Sequence, residues 1–213
     1  MKPIYLLGGL GADERVMDYL EFPGFQKVFI PWLAPLKNET ISQHAFRLST
    51  TITEQEPTLI ALSFGGILAI EIAKVLEGVR VIVISSIKTQ REVPYYFRLA
   101  GKLNLHRLLP ISLLKVPSPV TFWLFGVKGK AEKELLTEVL RNTDAQYLRW
   151  ALHQIVRWSN RINIPGIVHI HGSSDRLLPI GFVHADRTVI GVGHLMAVTH
   201  AQEVNRLFRD ILF

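Results

Sequence analysis

A serine at 63, an aspartate at 175 and a histidine at 194 are the residues of this chain whose types and order can do acyl-transfer chemistry. The serine lies in Ala61-Leu62-Ser63-Phe64-Gly65-Gly66, where an apolar run over 58–62 gives way to a helical pattern starting at Phe64. At a sharp strand-to-helix turn a hydroxyl is pushed out of the backbone, and small residues two before and two after it let the turn close. Ala61 and Gly65 fill those places. The start of the following helix aims backbone N–H groups at any anion that forms nearby. A serine hydroxyl is too weak an acid to attack an acyl carbon unaided. An imidazole, which titrates near neutral pH, can take its proton and return it to a leaving group. A carboxylate on the second ring nitrogen holds the ring and stabilises the imidazolium.

The elements that must position these residues are legible as six short runs rich in Ile, Val and Leu, at 3–7, 27–31, 58–62, 80–85, 166–171 and 188–190. Most are apolar throughout, as expected of parallel strands covered on both faces. Helical spacing falls at 40–55, 64–77 and 198–212. This alternation predicts an α/β fold with a mostly parallel sheet of about six strands and helices on both faces. Ligands of such sheets bind beyond the carboxyl ends of the strands. Directly after the first run stands Gly8-Gly9-Leu10-Gly11-Ala12-Asp13, after the third Ser63, after the fifth His171-Gly172-Ser173-Ser174-Asp175, and after the last Gly191-Val192-Gly193-His194. Four strand ends therefore supply a glycine-rich loop, a serine, an acid and a histidine, in the chain order of one class of hydrolytic triad.

From Ile87 to Pro165 there is no strong strand signal, only amphipathic stretches at 95–108, 110–126, 130–141 and 144–158. A structureless loop of that length inside a compact domain is implausible. The expected organisation is a core of 1–86 and 166–213 with a helical lid inserted over 87–165. Its aromatic residues (Tyr95, Tyr96, Phe97, Phe122, Trp123, Phe125, Trp150, Trp158) are expected to form an apolar roof, most of them in the insertion's own core and a few facing a pocket.

These pieces resemble the α/β-hydrolase superfamily over essentially the whole length. Gly172-Ser173-Ser174-Asp175 with the later Pro179 resembles its acid loop, and Gly193-His194 its histidine loop. The chain departs from the pattern in three places. Gly8-Gly9 stands where many relatives have His-Gly, Ala61 replaces the first glycine of the elbow, and two N-terminal strands of larger members are missing. The resemblance implies a small serine hydrolase with Ser63 as nucleophile, His194 as base, Asp175 as acid, and an oxyanion hole from the backbone N–H groups of Leu10 and Phe64. It implies cleavage of an ester or thioester through an acyl-enzyme. Two alternatives stay open on the same scaffold: a non-hydrolytic small-ligand receptor, and a lyase or carbon–carbon hydrolase. Haloalkane and epoxide hydrolases would need an aspartate at 63.

Other residues compete for these roles less well. His169 and His171 lie on a buried strand as core or loop-anchoring residues. His44, His106, His153 and His184 fall in helical or irregular segments, and His200 comes too late. Asp144 and Asp186 read as surface groups. Ser85 or Ser86 can line the pocket. His169-x-His171 lacks a third ligand nearby, so no metal is assigned, and no cofactor is implied.

Composition sets the remaining bounds. A chain of 213 residues suits one domain able to bury a sizeable core. It has no cysteine, hence neither disulfides nor a thiolate nucleophile. No apolar run approaches the ~20 residues of a membrane span. The N-terminal run reads as a strand rather than a signal peptide, and a cytoplasmic location is the default expectation. Of the net charge of +6, residues 88–160 carry +7, from 12 Lys/Arg against 5 Asp/Glu. That basic middle is a solvated face or a handle for an anionic substrate, a carrier-linked acyl group or an anionic membrane surface. The expected partner is a small-molecule substrate; no nucleic-acid motif accompanies the charge. The oligomeric state is not legible.

Overall fold

The computed structural model describes every residue except Asp13, so that position of the glycine-rich loop lies outside the described residues. In chain order the elements are β1 (Lys2–Leu7), α1 (Glu14–Met17), β2 (Phe25–Phe29), α2 (Ile41–Ser49), β3 (Thr58–Leu62), α3 (Phe64–Ile72) and β4 (Arg80–Ile84). Five helices follow: α4 (Tyr95–Lys102), α5 (Ile111–Leu114), α6 (Pro119–Phe125), α7 (Lys130–Asn142) and α8 (Ala145–Arg157). The chain then returns to β5 (Val168–Gly172), β6 (Arg187–Val189), α9 (Met196–Thr199) and α10 (Ala201–Leu212). The six strands form one sheet in the order β2-β1-β3-β4-β5-β6, and every neighbouring pair is parallel.

Strand alternation sorts the apolar side chains into two cores. Tyr5, Leu7, Leu59, Ala61, Val81 and Val83 point to one face, where they meet α2, α3 and the α8 residues Tyr147 and Ala151. Ile4, Leu6, Ile60, Leu62, Ile82 and Ile84 point to the other, against α1, α9 and α10. Continuous apolar runs were needed because both faces of the central strands are covered. α3 has no polar stripe: all nine of its residues are buried.

Local chemistry fixes the helix ends. Thr40 caps α2 in a capping box, its hydroxyl accepting from Gln43 N and Gln43 Oε1 accepting from Thr40 N. Asp144 Oδ1 accepts from Tyr147 N at 2.7 Å to start α8. α6 begins at Ser118-Pro119 and stops at Gly126, which takes φ 74°.

The helical spacing overran in two places. α2 stops at Ser49, not 55, because the β-branched run Thr50-Thr51 folds its hydroxyls back onto Arg47 O and Leu48 O. α3 stops at Ile72 rather than 77. The last helix is two, broken at His200 (φ −137°, ψ 39°). β2 sits two residues earlier than its apolar run suggested and ends before Pro31, which has no N–H to give a ladder.

The aromatic roof is also arranged differently. Trp158 is buried in the core of the sheet, its Nε1 donating to Glu71 Oε1 at 2.8 Å, and Trp150 Nε1 donates to Glu39 O at 2.9 Å. Tyr95 and Trp123 are more than half exposed. Of the eight aromatic residues, Phe97 and Phe125 line the cavity described below, where leucine is the commonest wall residue. Among the described residues, no helix is long and apolar enough to cross a membrane.

Candidate active site

Ser63 stands between β3 and α3 in a strained conformation, φ 49° and ψ −119°. A non-glycine residue there costs on the order of 1–3 kcal/mol and persists only where its surroundings over-determine it. They do. Ser63 N donates to Ile84 O at 2.9 Å, and its carbonyl accepts from Gly66 N at 2.9 Å and from Ser86 Oγ at 2.7 Å. The turn is closed by close approach: a Cβ on Gly65 would lie 2.6 Å from Leu7 O and nearer still to Gly8 O. A Cβ on Gly66 would lie 2.7 Å from Ser86 Cβ.

His194 reaches this serine from the loop after β6. Its Nε2 is 2.9 Å from Ser63 Oγ, and its Nδ1 is 2.7 Å from Asp175 Oδ2. Asp175 follows β5 and uses Oδ1 to accept from the N–H groups of Leu177 and Leu178, both at 2.9 Å. Burial pushes the Asp175 carboxyl up. The charge of His194, its hydrogen bond, the Leu178 N–H and His171 together outweigh that and hold it below the usual carboxylate range. With Asp175 ionised, His194 carries its proton on Nδ1 and offers Nε2 as acceptor to the serine hydroxyl.

The glycine-rich loop lies alongside: a Cβ on Gly9 would be 3.1 Å from Ser63 Cβ. No hydrogen bond among the described residues uses the backbone N–H of Leu10 or of Phe64. All five sequence-expected site residues (Leu10, Ser63, Phe64, Asp175, His194) therefore come to one end of the sheet. Ser63, Phe64, His194 and Leu10 also line one cavity of about 490 Å³. This falls within the range of small-molecule sites, ~300–1,000 Å³. Its walls are mostly aliphatic, with Leu113, Leu124, Leu135, Leu140 and Leu152 from the insertion. Among the described residues, no Lys, Arg, Asp or Glu lines it. The basic side chains of the insertion are thus outside the chamber, and an anionic handle would have to stay outside with them. Among the described residues no group of three or more His, Cys, Asp or Glu is arranged to hold a metal ion.

The insertion is fastened to the histidine loop. Leu195 N donates to Phe125 O at 3.1 Å, and Phe125 meets the His194 ring edge-on at 5.7 Å between centroids. Gly126 and Gly193 pack backbone to backbone, so that a Cβ on either would come within 2.8 Å of the other's Cα. Arg176, next to Asp175, lies over the Trp123 ring at 4.6 Å and donates to Trp123 O at 2.8 Å.

From the sequence His169 and His171 are core or loop-anchoring residues, and the structure shows what they touch. His171 Nε2 donates to Leu178 O at 2.7 Å and sits 3.5 Å from Asp175 Oδ2, so it braces the acid loop. His171 Nδ1 then accepts from His169 Nε2 at 3.1 Å. Burial first, then His171 and Lys88, push His169 down to about 3. An unfolded histidine takes its proton near 6.5, so between these values the unfolded state binds one more proton at this position. Stability must therefore fall as pH drops below 6.5, by about 1.4 kcal/mol per pH unit from His169 alone. Urea unfolding at pH 6.5 and pH 5 should show His169→Gln losing roughly 2 kcal/mol less than wild type. Equal losses would contradict a neutral buried His169. The sequence held a weak signal for this pair, two histidines with the spacing of one strand face.

No protein-family model matches the chain, and no curated protein does. Solved structures are similar over the whole fold. An esterase from Thermogutta terrifontis is 15% identical, with 100% of this chain and 89% of that one covered and a TM-score of 0.67. A hydrolase from Oleispira antarctica is 11% identical, covering 100% and 91%, with a TM-score of 0.71. An enol-lactonase from Burkholderia xenovorans is 17% identical, covering 99% and 91%, with a TM-score of 0.64. The chain has the α/β-hydrolase fold.

Proposed function

We propose that this chain is a serine hydrolase that cleaves an ester or thioester of an apolar acyl group through an acyl-enzyme. The observation that carries this reading is the unbroken hydrogen-bonded line Ser63–His194–Asp175 opening on an aliphatic chamber. Its similarity in fold to an esterase and an enol-lactonase supports the reaction class.

Ser63 Oγ attacks the acyl carbon while His194 Nε2 takes its proton, and Asp175 stabilises the imidazolium that forms. The carbonyl oxygen becomes an oxyanion beside the N–H groups of Phe64 and Leu10. Each such donor is worth ~3 kcal/mol in the transition state. Collapse of the tetrahedral species expels the alcohol or thiol, which takes the proton back from His194. Water, deprotonated by the same nitrogen, then attacks the acyl-enzyme and returns Ser63 to its starting state. The absence of charged residues among the described walls suits an acyl chain or ring, because burying an unpaired charge there would cost more than the apolar contacts return. The helices over 87–165 act as a lid over this chamber.

Intact-mass measurement after a fluorophosphonate treatment tests the assignment. Wild type should gain one adduct, Ser63→Ala none, and a series of aryl esters and acyl-CoA thioesters should show turnover that rises with acyl length. A folded wild-type protein that takes no adduct, or an adduct kept by Ser63→Ala, would remove Ser63 as the nucleophile.

A further inference from the structure

The segment 95–128 has a composition and an exposure unlike the rest of the molecule. It holds five basic residues (Arg98, Lys102, Arg107, Lys115, Lys128) and no acidic one. Among the described residues, eleven of the nineteen large apolar side chains left exposed fall between Tyr95 and Trp123. They include Leu99 at 53%, Leu108 at 78%, Leu113 at 63% and Trp123 at 57%. Monomeric proteins seldom leave apolar side chains clustered in this way without a use.

α4 shows the design of this face. Its inner side is set by Gly101, where a Cβ would lie 2.9 Å from Val156 Cβ, so α4 lies close against α8. Tyr95, Leu99 and Leu103 then fall on the opposite side at helical spacing, and all three are at least half exposed. Arg98 and Lys102 flank them. Beside this face a groove of about 610 Å³ is lined by Tyr95, Arg98, Leu99, Lys102 and Arg157, placing three cations against apolar surface. Leu113 and Val120 belong both to the exposed set and to the cavity wall, so the outer apolar face is continuous with the chamber of Ser63.

We propose that this face docks on an anionic lipid bilayer, with the leucines and Trp123 in the acyl–headgroup boundary and the basic groups on lipid phosphates. Such a surface combines Leu and Trp on one side with flanking Lys and Arg, as interfacial helices do. Long basic side chains can lie along the apolar surface and keep their charge at the headgroups. A protein partner fits the composition less well, since Lys is depleted and Leu under-represented at the energetic centres of protein interfaces. The docked orientation turns Leu113 and Val120, which also line the chamber, toward the bilayer. The substrate class is then an acyl ester of a membrane-resident lipid, taken in by its chain. That substrate class rests on the hydrolase reading; the docking does not.

The experiment therefore uses the Ser63→Ala protein, which can bind without turning over. It is mixed with sedimentable vesicles of phosphatidylcholine alone, or of equal parts phosphatidylcholine and phosphatidylglycerol. The expected result is co-sedimentation with the mixed vesicles, weakened by salt, and a blue shift of tryptophan emission that Trp123→Phe abolishes. Arg98→Glu with Lys102→Glu should lower partitioning by about tenfold or more. Leu99→Ser with Leu103→Ser and Leu108→Ser should do the same. None of these residues lines the chamber, so in the wild-type background both variants should keep their turnover of a soluble short-chain ester. Absence of co-sedimentation would overturn the proposal. So would a stable dimer that binds no vesicles and is dispersed by the leucine variant, which would assign the face to a second copy of this chain. Loss of the fluorophosphonate adduct would instead strike the hydrolase reading and leave docking standing.

Discussion

His194→Ala is expected to lower kcat by about five to six orders of magnitude, close to the full worth of the Ser63–His194–Asp175 unit. That corresponds to roughly 7–8 kcal/mol of transition-state stabilisation. The reason is geometric. His194 Nε2 is the acceptor at 2.9 Å from Ser63 Oγ, and among the described residues no other histidine is hydrogen-bonded to that hydroxyl. In the proposed mechanism the three residues act together, so Ser63→Ala combined with His194→Ala should cost no more than either alone. Asp175→Asn should cost about 10⁴-fold, because an amide cannot stabilise the imidazolium and disturbs the tautomer. Folding should survive the change at 194. Asp175 keeps the N–H groups of Leu177 and Leu178, so the unfolding free energy should drop by no more than about 1–3 kcal/mol. A His194→Ala protein within tenfold of wild-type turnover would move the base to another group.

The second large effect concerns the turn rather than the chemistry. Gly65→Val should prevent the protein from folding stably. Its Cβ would press on Leu7 O at 2.6 Å and on Gly8 O, both backbone atoms of the central strand β1 and its following loop. Ordinary overpacking costs about 1–3 kcal/mol, and here neither wall can rotate away. The expected loss is several kcal/mol out of a net stability of about 5–15. Gly66→Ala is the informative contrast. It meets the Ser86 side chain, so Gly66→Ala should cost less in a Ser86→Gly chain than in the wild-type chain in a urea titration, although Ser86→Gly alone also loses the bond to Ser63 O. Full thermal stability in Gly65→Val would contradict the tight turn.

Much of this arrangement was legible in the sequence because it is local. A strand covered on both faces must be apolar at consecutive positions, and 58–62 coincides with β3 residue for residue. A carboxyl-end position is then read directly, and Ser63, Asp175 and His194 were each read from such a position. What failed to show was long-range. Trp158 and Trp150 look like lid aromatics, but their partners Glu71 and Glu39 are 87 and 111 residues away, and only folding brings them together. Likewise leucine is the commonest wall residue of the chamber, and its periodicity suits either a helix interior or a ligand wall. Helix ends were overestimated where Thr hydroxyls turned back on the backbone at 50 and 51.

The backbone contact between Gly126 and Gly193, with the Leu195-to-Phe125 hydrogen bond beside it, bears on how this molecule can be re-engineered or diversify. The insertion is not an interchangeable cassette. A hybrid that brings any side chain to position 126 would press it against residue 193 and push the His194 ring off Ser63, whatever the new walls were meant to select. Recombination at this joint has to exchange 191–195 together with the helices, so that new walls arrive with a histidine already seated against Ser63.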